Sequence, residues 1–89
     1  MKLTVIKPDQ AIYVDNVCFE GIDLSDSDPF HAIQYNTESG GEIEFADRNE
    51  PLNSDEDIDA KSGISLAEYK RRFDVAKAEY ETANTLPSE

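Results

Sequence analysis

Asp55, Glu56, Asp57 and Asp59 form the densest grouping of metal-capable side chains in the sequence. Asp55, Asp57 and Asp59 stand at the first, third and fifth positions of a loop of the EF-hand kind. Such a loop needs a glycine at its sixth position and a bidentate glutamate at its twelfth. Here those positions hold Ala60 and Leu66. The expectation is a solvated acidic loop with no bound metal.

The other reactive residue types are equally sparse. His31 is the single histidine. A general base needs an oriented nucleophile or substrate beside it. His31 instead falls on a strand pattern shared with Ile33 and Tyr35, and reads as a structural or surface residue. Cys18 is the single cysteine, set between Val17 and Phe19 and among acids. Neighbouring carboxylates disfavour a thiolate, so the thiol reads as inert. It leaves no intramolecular disulfide to form, which fits a reducing cytoplasm. Gly40-Gly41 lacks any phosphate-loop pattern and is flanked by Glu38 and Glu42. No catalytic set and no cofactor motif emerges, so the chain is not expected to be an enzyme.

Composition points the same way. The chain has 89 residues, 20 acids against 8 Lys+Arg, and a net charge of −12. That length allows one small domain. The charge argues against direct nucleic-acid binding, which draws its affinity from Lys and Arg on phosphates. No apolar run reaches the length of a membrane span. Leu3–Ile6 is too short for a signal-peptide core.

The elements that must carry these residues follow from patterning. Lys2–Lys7, Ala11–Val14, Val17–Glu20, His31–Asn36 and Glu42–Ala46 alternate or are β-rich and read as strands. Asp15-Asn16 suits a tight hairpin. Ile22–Pro29 is an acidic connection. Asp47–Gly63 has no sustained periodicity and reads as a long loop. Ser65-Leu66-Ala67-Glu68 is a capping box that opens a helix over Ser65–Asn84. Leu66, Tyr69, Phe73, Ala76, Tyr80 and Ala83 line one face of it. The expected fold is α+β: a mainly antiparallel sheet of four or five strands over residues 1–46, an acidic loop over 47–64, a helix over 65–84 across one sheet face, and a frayed tail at 85–89.

Two surfaces could serve a partner. One is the aromatic stripe of the helix beside Lys70-Arg71-Arg72, the only basic cluster. Its first expected role is to pack on the sheet, and its second is to dock a partner helix or a second copy. The other is the acidic body. Residues 8–60 carry fifteen carboxylates against Arg48 alone. At one charge per ~1.7 Å, that excess of about 14 matches roughly 24 Å of duplex DNA. Mimicry of nucleic acid is therefore an alternative, with Asp55, Glu56, Asp57 and Asp59 as its centre.

Four strings carry a family resemblance: Gly21-Ile22-Asp23-Leu24-Ser25, His31-Ala32-Ile33-Gln34-Tyr35, Gly41-Glu42-Ile43-Glu44-Phe45 and Asn49-Glu50-Pro51, ahead of an Ala-rich helix. Together they resemble small proteins of tailed bacteriophages encoded near tail-fibre genes. Where that family carries Trp after the Gln, this chain has Tyr35. The resemblance implies a fibre-assembly chaperone or accessory tail protein in the host bacterial cytoplasm, or one kept on the virion. It implies a tail-fibre or tail component as partner, with no chemistry and no cofactor. Tyr35, Tyr69, Arg72 and Tyr80 are the candidate partner contacts. The runner-up is an acidic inhibitor that mimics DNA against a host defence protein, and a third reading is a minor structural virion protein.

Overall fold

The alternating N-terminal segment forms β1 (Lys2–Ile6), at the centre of the sheet. It is joined by β2 (Ala11–Val14), β3 (Val17–Phe19), β4 (Ala32–Asn36), β5 (Gly40–Glu44) and β6 (Asn49–Leu52). Helices α1 (Asp55–Ser62) and α2 (Leu66–Thr85) follow. The computed structural model describes residues 1–85. The fold is α+β, and its six-stranded sheet has the order β3-β2-β1-β4-β5-β6. Every neighbouring pair is antiparallel.

Register sorts the side chains. Leu3 faces Val14 and Tyr35, Val5 faces Ile12 and Ile33, and Ile33 faces Ile43. All are buried. They form the dry face, and Thr4, Tyr13, Gln34 and Glu42 alternate onto the wet one. Ile22, Leu24 and Phe30 from the β3–β4 connection enter the same core, as do Ile58, Ile64, Tyr69 and Phe73. α1 lies against β5 and β6, and α2 against β2 and β3. Each half of the sheet is thus covered by its own helix.

Asp15 and Asn16 both take positive φ, 50° and 76°, as the tight hairpin required. Ser65 caps α2: its Oγ accepts the Glu68 amide at 3.1 Å. The reciprocal half of the box is replaced, because the Glu68 carboxylate is taken up by Arg71 and Arg72. β5 starts earlier than its sequence suggested. Gly41 lies in the strand opposite Tyr35, where a Cβ would sit 1.9 Å from the Gln34 carbonyl oxygen. Only glycine permits that approach.

The expected loop over 47–64 is corrected. It holds a sixth strand, β6, and a helix, α1. Pro51 hid the strand, since proline is confined to sheet edges, and β6 is an edge. α1 was hidden because it buries only Ile58 and Ser62, too few to show a period. Beyond Thr85 the tail expected at 85–89, with Pro87, lies outside the described residues.

Candidate functional site

Phe19 is the last residue of β3, and its ring meets two rings of α2. Phe73 contacts it edge-on, with centroids 5.3 Å apart, and Tyr80 contacts it at 5.4 Å. Those two residues are seven positions apart, about two turns or ~10.5 Å along the helix. Their exposures differ sharply: Phe73 is 4% exposed and Tyr80 57%. The stripe expected to pack on the sheet therefore packs over its first half only. β3 is the last strand on this side, and α2 continues past it. Lys77 to Ala83 are exposed throughout.

The overhang and the sheet edge enclose an open groove of about 1090 Å³. Val17, Phe19 and Ile22 line one side, and Val75, Ala76 and Tyr80 the other. Val17 is 48% and Val75 44% exposed, high for aliphatic side chains in ordered elements. Glu20, Asp23, Glu79, Arg71 and Arg72 form the rim.

Both rim arginines are already engaged. Arg72 forks onto Asp26 at 2.6 and 2.8 Å and donates to Glu68 at 2.8 Å and to the Asp23 carbonyl at 3.1 Å. It thereby pins the β3–β4 connection to α2. Arg71 pairs with Glu68 at 2.6 Å. Hydrogen bonding to Arg72 holds the Asp26 carboxyl down at about 2. Arg71 first and Arg72 second hold Glu68 at about 2. Among the described residues no cation pairs with Glu20 or Glu79, so the free charge of the rim is negative.

Of the four candidate contacts, only Tyr80 reaches this groove from an exposed position. Tyr35 is 4% exposed and donates its hydroxyl to Asp55 at 2.7 Å, tying β4 to the start of α1. Tyr69 is fully buried and donates to Ser62 Oγ at 3.0 Å. Burial of both tyrosines follows from register: each falls on the dry side of its element. Arg72 is a fastener of the fold. Val17, Phe19 and Val75 are groove residues missed from sequence. The signal was present in the length of the helix, which at 1.5 Å per residue outruns the sheet.

The acidic cluster is helical. Asp55, Glu56 and Asp57 occupy the first turn of α1, where the helix dipole favours them. Asp57 accepts the Asn53 amide at 2.8 Å. Side chains two apart on a helix point about 200° apart, so Asp55, Asp57 and Asp59 cannot converge on one ion. Among the described residues no three His, Cys, Asp or Glu side chains gather as a metal site. His31 ends up exposed beside Glu44, 3.8 Å away, although Ile33 and Tyr35 of its strand pattern are buried. Cys18 is half-buried on the wet face opposite Tyr13. Among the described residues no helix is long and apolar enough to cross a membrane. No protein-family model, no curated protein and no solved structure matches this chain.

Proposed function

We propose that this chain is a non-enzymatic protein-binding accessory of a tailed bacteriophage, assisting assembly of the tail fibre or tail. The observation that carries the binding part is the open apolar groove between β3 and α2. A solvent-facing apolar surface with a polar rim is what a protein partner covers. The phage setting is supported by the sequence resemblance. The high net charge suits an accessory that must keep a sticky client dispersed. The setting that goes with this reading is the host cytoplasm, with retention on the virion as the alternative.

The test is co-expression with the tail-fibre protein of the phage genome that encodes the chain. The expected result is more soluble, trimeric fibre with the wild type. A Val75→Asp/Tyr80→Ser variant that melts like the wild type should give no increase. Equal yield with and without the chain would remove the assembly role.

A second reading keeps the acidic surface as the site, in a DNA-mimic inhibitor of a host nucleic-acid-binding defence protein. What favours it is that Asp55, Glu56 and Asp59 are exposed on a helix. Helical carboxylates hold fixed spacings, as a mimic needs. Displacement of a captured partner by duplex DNA would select this reading.

A further inference from the structure

The two edges of the sheet are built differently. At β6, Pro51 has no N–H to offer, and Lys61 Nζ covers its carbonyl at 2.6 Å. Proline and lysine are the ordinary means of keeping an edge from pairing with another chain. At β3 neither is present: Val17, Cys18 and Phe19 are followed by Glu20. Among the described residues no strand pairs with its outer side. The overhang of α2 then roofs the space next to that edge. A further strand would lie 4.7–4.9 Å beyond β3, beneath Val75 and Tyr80.

We propose that the groove receives its partner as a seventh strand, an extended segment of another protein that pairs with the open edge of β3 and lies under α2. The proposal rests on the protein-binding reading above and specifies how binding occurs. Strand addition supplies main-chain hydrogen bonds for affinity and alternate side chains for selection. Residues of the segment that face α2 must be apolar to meet Phe19, Val75, Ala76 and Tyr80. Its flanks must be basic, because the rim carboxylates Glu20, Asp23 and Glu79 have no ion pair among the described residues and the chain carries −12 overall. That charge also decides against a second copy as the occupant. A two-fold β3–β3 pairing would bring the acidic rim against its own image, and like charges brought together in an interface cost affinity.

The probe is a synthetic seven-residue peptide of alternating valine and threonine with lysine at both ends. Its control carries proline at the central position. The full chain is ¹⁵N-labelled, and its amide signals and hydrogen exchange are followed by NMR. The expected result is slowing of exchange by about tenfold at the outward-facing amides of Cys18 and Glu20, together with shifts at Val75 and Tyr80. Proline in the peptide should abolish both effects, and added salt should weaken them. Shifts along α2 with unchanged exchange at Cys18 and Glu20 would overturn strand addition while leaving the groove a binding site. No response to the peptide would overturn strand addition, and the co-expression experiment would still decide the function separately. Self-association through β3 in sedimentation would overturn the choice of a foreign strand.

Discussion

Arg72 and Asp26, 46 positions apart, form a two-pronged ion pair with contacts of 2.6 and 2.8 Å. Through it the connection between β3 and β4 is fastened to α2, and one wall of the groove is held in place. Asp26 and Glu68 are both held at about 2, below their ordinary 3.8 and 4.5. A carboxyl lowered in the folded state stabilises above its unfolded value and loses that contribution as pH falls through the folded one. The melting temperature should therefore decline between pH 4.5 and 2. Arg72→Met should lower it at neutral pH and flatten that decline. An equally steep acid transition in Arg72→Met, followed by circular dichroism, would mean that other groups dominate.

Phe73 is the point where α2 is welded to the sheet, buried to 4% exposure and edge-on to Phe19. Phe73→Ala should cost about 3–5 kcal/mol. That is enough to unfold much of a small domain, whose total stability is about 5–15 kcal/mol. Chemical denaturation measures it directly. A loss within a few tenths of a kcal/mol would show that the stripe is not core.

Two phenols, Tyr35 and Tyr69, should titrate latest. Tyr35, through its bond to Asp55 and then burial, is pushed up to about 12, and Tyr69, through burial, to about 12. A phenol raised in the folded state stabilises below its unfolded value of 10.0 and loses that contribution as pH rises toward 12. Ultraviolet titration of the folded chain should show Tyr35 and Tyr69 lagging most, with Tyr13 also raised by its contact with Cys18, and unfolding should become easier over the same window. Tyr35→Phe and Tyr69→Phe should each remove one late phenol. Ionisation of Tyr35 and Tyr69 near 10 in folded protein would contradict the buried placement.

Glycine substitutions separate steric from conformational cost. Gly41→Ala drives a methyl into the β4 backbone and should prevent normal folding of the β4–β5 hairpin. Gly21 has positive φ, 76°, but open space around it, so Gly21→Ala should cost only about 1 kcal/mol of strain. Thermal melts of the two variants make the comparison. Similar melting temperatures would contradict the packing at Gly41.

The parts of the fold that sequence revealed are those whose local signal and tertiary role coincide. β1 alternates because its two faces meet different surroundings. Ser65 caps α2 with its own hydroxyl, and Asp15-Asn16 turns where left-handed backbone is needed. α1 and β6 are held by a few tertiary contacts instead: Ile58 in the core, Tyr35 on Asp55, Lys61 on Pro51. Even so, Ser54 three residues before Asp57, with Gly63 closing at φ 80°, was a legible start and stop. At the site, Tyr80 was found because it belongs to a helical stripe. Tyr69 and Arg72 belong to that helix and Tyr35 to the alternating strand β4, but Ser62, Asp26 and Asp55, which engage them, lie outside those elements, beyond the reach of spacing. Val17 and Val75 face each other only because the sheet ends at β3.

The groove is separated from the acidic surface most directly by binding affinity for the proposed fibre partner, measured against salt for three forms of the chain. These are the wild type, Val75→Asp/Tyr80→Ser, and Glu56→Gln/Asp59→Asn, which spares Asp55 and Asp57 with their bonds to Tyr35 and Asn53. The groove variant should lose at least about tenfold in affinity, as truncation of a buried anchor does. The charge variant should stay within about twofold, with a modest salt dependence. Retention of affinity in the groove variant, with a steep loss in the charge variant and competition by duplex DNA, would contradict the groove as the binding site.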